Sequence, residues 1–263
     1  MKTLSKSIFI SLLVMILPIG ASAQVEWSGA GNDSAWQNAA NWSGGKAPKA
    51  SDQVVIATSG GKVLMTGNDN AASGFKMEKD VSLTIQPQAS FQLVKGGSNP
   101  DGISFVAEGS KITVLGMLRM NQAIYFTDGT ITVTGSGSVE KDSDDTSLAF
   151  LQANNGVFTL NLEGDKARIA NLLILGGPTQ LNINLTLGPG GMNPIEVNIL
   201  ECGDGSTLTV DVSKYEGTKG TVLKLITFNA AKGKFANLKV VGGTAQIHCL
   251  EDAITLDNIV VKL

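Results

Sequence analysis

A short order of residue types, Gly, hydroxyl, aliphatic, Thr, aliphatic, returns along this chain and restricts what it can fold into. It appears as Gly109-Ser110-Lys111-Ile112-Thr113-Val114, as Gly129-Thr130-Ile131-Thr132-Val133 and as Gly205-Ser206-Thr207-Leu208-Thr209-Val210, with Ser82-Leu83-Thr84-Ile85 as a shorter copy. Apolar residues at every second position put one face of an extended strand into a core and the other into water. From Val54 onward such runs follow one another, broken by Gly, Asn, Asp or Ser, and helical periodicity is nearly absent. The clearest is Leu181, Ile183, Leu185 and Leu187, alternating with Asn182, Asn184 and Thr186.

Repetition of one strand type favours a solenoid over a sandwich. Ile112 and Ile131 are 19 residues apart, and Ile131 and Leu208 are 77 apart, close to four times 19. A coil of about 19 to 24 residues lies within the range of repeat architectures. Strands stacked at about 4.8 Å make roughly ten coils a rod near 50 Å long. The expected fold is therefore all-β, a single right-handed parallel β-helix. A β-sandwich with Greek-key crossings is the competing arrangement. Gly220 to Leu263 reads as the closing coils, with Phe228 and Phe235 over the second open end.

The start of the chain carries an export signature. Lys2 and Lys6 precede an apolar stretch from Ile8 to Leu17, and Ala21-Ser22-Ala23 supplies small residues before Gln24. The division expected is a signal peptide over 1–23, a cap segment over 24–53 and the β-helix over 54–263. The apolar stretch is short for a membrane span and no second one follows, so no integral membrane segment is expected after cleavage. A net charge of −3, with Lys and Asp scattered singly, provides no basic field for nucleic acid.

All three tryptophans fall within Trp27 to Trp42, ahead of a proline turn at Pro48 and the apolar triplet Val54 to Ile56. The residues Trp36, Ala40, Asn41, Trp42, Pro48, Asp52 and Val54 to Ile56 form a W…ANW…P…D…VVI pattern. This resembles the opening of bacterial secreted right-handed β-helix proteins, such as autotransporter-like passenger domains, and the start of G8-type domains. The resemblance implies a parallel β-helix reached through an N-terminal cap. The outer-membrane barrel that follows autotransporter passengers is not found in the sequence, so self-export by that route is not expected.

The side chains that could carry chemistry each have a plain structural reading beside the functional one. Trp27, Trp36 and Trp42 suit an end cap over the core; if the protein holds a glycan, they are also the platform on which sugar rings would stack. Cys202 and Cys249 form an even pair in an exported chain, which favours a disulfide. Two regular coils between them would separate their Cα atoms by roughly 9 to 10 Å, beyond disulfide reach unless the intervening coil is long and irregular. Asp142, Asp144 and Asp145 read as a solvated turn or as oxygen ligands for calcium, although the order and closing Glu of an EF-hand loop are missing. His248 is the only histidine, which removes any multi-histidine metal site.

Lysis of a uronate polymer would call for clustered carboxylates and a basic side chain beside them, yet Arg119 and Arg168 are the only arginines and no acidic pair sits at repeat spacing next to them. Outward threonines at Thr130, Thr132, Thr134, Thr207 and Thr209 are similar to the threonine ladders of ice-binding solenoids, but their uneven spacing along the chain predicts no flat lattice. The function expected is an exported, non-catalytic scaffold of the bacterial envelope or surface, engaged in adhesion or glycan binding, with a polysaccharide-active lyase or hydrolase as the alternative. No cofactor is expected. The expected partner is an envelope or extracellular polysaccharide, or a cell-surface protein.

Overall fold

The structure is a computed structural model, and it describes residues 24–96, 102–142 and 148–262. The expected signal peptide therefore lies outside the described residues. The chain forms a parallel β-helix: each turn of the coil adds a strand beside the equivalent strand of the turn before, in parallel register. The handedness rule for parallel strands joined by a crossover makes the coil right-handed.

Three faces enclose one core. Face I begins with Asn70–Ala72, Ser90–Leu93, Met117–Met120 and Ser138–Lys141. Face II contains Gln24–Glu26, Gln53–Ile56, Gly74–Met77, Ile103–Val106, Ala123–Phe126 and Phe150–Ala153. Face III is an 8-stranded sheet running from Lys62–Met65 through Ser82–Ile85, Lys111–Val114, Thr130–Thr134, Val157–Glu163, Gln180–Thr186 and Thr207–Asp211 to Asn237–Val241. In the later turns a single long strand serves faces I and II together. Arg168–Leu175 pairs its first half with Ser138–Glu140 and its second half with Phe150–Gln152. It bends at Asn171, whose φ of 61° is a left-handed conformation that Asn tolerates better than most residues. Asn198 and Asn229 hold the next two positions on this corner, with the Asn229 amide donating to Asn198 at 3.2 Å.

Eight strands on face III correspond to a rise of about 34 Å, shorter than ten even coils would give. The turns are not of one length. Ile131, Leu160, Ile183 and Leu208 are successive equivalents, so the stretch read as four short coils holds three longer ones. One residue, Ser73, separates Ala72 from Gly74 and two, Asn121-Gln122, separate Met120 from Ala123 between face I and face II, whereas nine positions separate Leu93 from Ile103 and eight separate Lys141 from Phe150.

The core is a stack of inward columns. Leu83, Ile112, Ile131, Leu160, Ile183 and Leu208 are all at most 1% exposed, and each contributes about 1.5–3 kcal/mol of burial. Phe75, Phe91, Phe126 and Phe158 also point inward, the last two stacked at 4.2 Å. In two of the four copies the repeat's hydroxyl has a structural task. Ser110 and Ser206 are fully buried at the corner entering face III, where their hydroxyl oxygens accept from the backbone N–H of Val81 and Leu181 on the preceding turn, each at 3.0 Å.

The two ends differ. At the start, Trp36 packs edge-on to Trp42 at 4.8 Å, and Trp42 packs edge-on to Trp27 at 4.9 Å. Ser34 and Trp36 bond the backbone of Leu64 and so cover the first strand of face III. At the other end the closing element is not a pair of phenylalanine rings. Leu223–Lys232 pairs antiparallel with Ala253–Val261, which pairs antiparallel with Gly243–Cys249. Phe228 is buried and Phe235 only half-buried, and the last member of the inward column, Leu238, is 44% exposed.

Candidate functional site

Outward positions on face III bring together side chains that lie far apart in sequence. The central column runs Thr84, Thr113, Thr132, Asn161, Asn184, Thr209, with Leu64 before it and Lys239 after it. Beside it stand Ser82, Lys111, Thr130, Thr159, Asn182 and Thr207. A third, shorter column holds Thr134, Glu163, Thr186 and Asp211. This regular array corrects the expectation from uneven spacing. The strands of face III remain in register although the number of residues between equivalent positions differs from turn to turn.

The array is stiff. Threonine side chains are restricted about χ1 by branching at Cβ. Along the central column the Asn184 amide donates to Asn161 at 2.9 Å, and the Asn161 amide donates to the Thr132 hydroxyl at 3.0 Å. In the neighbouring column the Gln180 amide donates to Asn182 at 2.9 Å. Every member of the central column from Thr84 to Thr209 is half-buried, level with its neighbours. Each of these asparagines has two N–H donors and a carbonyl with two lone pairs, and each hydroxyl both donates and accepts. Face III therefore presents donors and acceptors at a fixed interval of about 4.8 Å along the solenoid and about 6.7 Å along a strand.

An open groove of about 590 Å³ follows the edge of this face where it turns toward face I. Glu163, Asp165 and Asp211 line it with Lys166 and Lys214, and Thr134 and Thr186 form its floor on the side of face III. The Asp211 carboxylate also accepts from the Ser213 backbone N–H at 2.9 Å.

The tryptophans named from the sequence stand elsewhere. Trp27, Trp36 and Trp42 are 5%, 2% and 3% exposed, packed edge-on to one another, with Trp36 tilted against Phe91. They close the core and offer no open ring to a sugar, which favours the cap over the platform for this segment. Around them Asn41 is fully buried, accepting from Gly31 N–H at 2.8 Å and donating to Asp33 at 2.6 Å. Hydrogen bonds from Asn38, the Ala35 backbone and Asn41 hold the Asp33 carboxyl below its ordinary pKa. Asp52 accepts from Lys49 N–H at 2.8 Å, closing the turn after Pro48.

Outward aromatics exist where the sequence reading saw few. Phe105 stacks on Tyr125 at 5.7 Å, and Tyr125 meets Phe150 edge-on at 5.9 Å, on the outside of face II. Phe105 is 38% exposed, and the three rings stand against one another. Period-2 counting alone cannot separate them from inward phenylalanines, because in Ile103–Val106 the polar Ser104 is the buried residue while Phe105 faces out, and Phe150–Ala153 has apolar residues on both faces.

Both cysteines are free thiols. Burial pushes the Cys202 thiol up to about 12, with Cys249 and Glu201 adding to the shift. His248 lies 3.1 Å from the Asp257 carboxylate. Asp142 accepts from the Gln92 amide at 2.7 Å, while Asp144 and Asp145 lie outside the described residues. Arg119 pairs with Glu140 and Arg168 with Glu196 across adjacent turns, at 3.5 and 3.2 Å. Among the described residues no group of three or more His, Cys, Asp or Glu side chains gathers to hold a metal ion, and no helix is long and apolar enough to cross a membrane. No protein-family model, curated protein or solved structure matches the chain.

Proposed function

We propose that the protein is an exported, non-catalytic β-helix scaffold of the bacterial envelope or surface that binds a polysaccharide on face III. The observation that carries this reading is the in-register column from Thr84 to Thr209, whose hydroxyl and amide groups are of the kind that hydrogen-bond sugar hydroxyls. A binding role also fits the ionic groups. Arg119, Arg168 and His248 are engaged with carboxylates of the protein, which is the arrangement of side chains that stabilise a surface. The export signature of residues 1–23 supports this reading, since an exported protein would meet such polymers.

Affinity electrophoresis of the mature protein through gels containing glucans, xylans, mannans, pectin or alginate tests the reading. Retarded migration in at least one gel is expected, and it should be abolished by Asn161→Lys together with Asn184→Lys, which places bulk and charge in the middle of the column. Migration unchanged in every gel would overturn the proposal. Release of reducing or unsaturated ends from any of these polymers would replace it with a polysaccharide-active enzyme.

A further inference from the structure

Resting on that reading, we infer that the ligand is a neutral, extended polysaccharide lying parallel to the solenoid axis, about one ring to each turn. The argument begins with the geometry of the central column. Thr84, Thr113, Thr132, Asn161, Asn184 and Thr209 form an uncharged run over six turns, about 24 Å long at the rise of a parallel sheet. A pyranose chain with equatorial linkages advances by about one turn's rise per ring, so successive rings fall over successive turns of the column. Across the strands the match fails. The interval is longer, and an uncharged run in that direction ends after three outward residues, as in Thr130, Thr132 and Thr134 or Asn182, Asn184 and Thr186, while Lys111, Glu163 and Asp211 flank the column on other strands.

Charge selects among chains of this shape. Glu163, Asp165 and Asp211 along the groove beside the column oppose a polymer that carries a carboxylate on every ring, and Lys166 and Lys214 among them oppose a uniformly cationic one. A neutral polymer meets neither objection. The internal hydrogen bonds of the column fix its groups before the ligand arrives, which lowers the ordering cost of binding.

Calorimetric titration with neutral β-1,4-linked oligosaccharides of graded length, from the cello, xylo and manno series, separates this orientation from the others. In the series that binds, each added ring should tighten affinity by roughly fivefold, the equivalent of one net hydrogen bond, with a plateau near six rings. Asn161→Lys should lower the plateau to about half that length, because the uncharged run on either side is cut. A plateau at two or three rings would overturn the axial orientation while leaving polysaccharide binding in place. Tighter binding of oligogalacturonates than of any neutral series would overturn the neutral assignment, again without removing the site. No binding to any oligosaccharide or polymer would remove both this inference and the function on which it rests.

Discussion

The indole N–H of Trp42 donates to the backbone carbonyl of Trp36 at 2.6 Å, inside the cluster that closes the start of the solenoid. One side chain thus fills the end of the core and satisfies a buried acceptor. Trp42→Phe should keep most of the apolar contact and leave that carbonyl without its donor, costing about 1–3 kcal/mol. Trp36→Ala should cost more, about 3–5 kcal/mol, through the cavity it opens against Phe91 and Trp42. Chemical denaturation followed by tryptophan fluorescence measures both, and a stability unchanged by Trp36→Ala would contradict a buried cap.

Acid should loosen the same segment. The Asp33 carboxyl has its pKa lowered from 3.8 by hydrogen bonds from Asn38, Ala35 and Asn41, so its ionised form supports the fold. That support is complete above the unfolded value and is lost as pH falls through the lower folded value. The expected outcome is a stability decline beginning near pH 3.8 that Asp33→Asn makes smaller. Equilibrium unfolding curves of both proteins at a series of pH values supply the comparison.

At the corner entering face III, Ser206 accepts from Leu181 N–H at 3.0 Å and donates to the Gly203 carbonyl at 2.7 Å. Ser206→Ala leaves the Leu181 N–H buried without its acceptor, while the Gly203 carbonyl keeps the backbone N–H of residue 206 at 3.3 Å, and the change should destabilise by about 1–3 kcal/mol. Ser138, half-buried on face I, has no such duty and Ser138→Ala is the control. Equal melting temperatures for the two variants would remove the structural role assigned to the repeat's hydroxyl.

Much of the fold was legible because the strands alternate so clearly. Leu181, Ile183 and Leu185 between Asn182, Asn184 and Thr186 declare one buried and one wet face, and the structure puts every one of them where the alternation requires. Turn length was not legible. Equivalent residues are 29 apart from Ile131 to Leu160, 23 from Leu160 to Ile183 and 25 from Ile183 to Leu208 without any loss of register, so counting along the chain reads three turns as four and hides the threonine lattice. The tryptophans drew attention as a glycan platform because composition reports ring type and not burial. Outward Phe105 and Phe150 escaped notice for the opposite reason, since strands such as Phe150–Ala153 have apolar residues facing both ways. The repeat's Ser was visible as a pattern, but its partner on the preceding turn becomes apparent only once the coils are stacked.

Turns approach one another closely at the corners. A Cβ on Gly203 would collide with the Thr179 carbonyl oxygen, and one on Gly116 with the carbonyl oxygens of Ala89 and Gln86. All of these obstacles are backbone, so neither site relaxes by a rotamer change. Gly203→Ala and Gly116→Ala should each cost about 1–3 kcal/mol or more as overpacking. Gly44→Ala meets no atom nearby, although its φ of 79° imposes a smaller backbone cost. Thermal unfolding of the three variants should place Gly44→Ala nearest the parent protein, and the reverse order would dispute the stacking at these corners.

The two thiols of the closing turns should differ in reactivity. Cys249 is exposed, whereas Cys202 is half-buried with its pKa raised from 9.0 to about 12, chiefly by burial. Only a thiolate attacks an alkylating agent at a useful rate. At a pH near 8, reduced folded protein treated with iodoacetamide should therefore be labelled at Cys249 first, with Cys202 following only when denaturant is added. Between pH 9 and 12 the linkage has a definite sign: the unfolded chain ionises Cys202 and the folded chain does not, so this group's support for the fold falls as pH rises. Cys202→Ala should flatten that fall, and peptide mapping of the alkylated protein assigns the labels. Equal labelling of both cysteines in the folded protein would show that Cys202 is not held as a buried thiol. Recovery of Cys202 and Cys249 in one linked peptide pair from unreduced material would show instead that the two thiols oxidise to a disulfide, tying Gly243–Cys249 to an earlier turn.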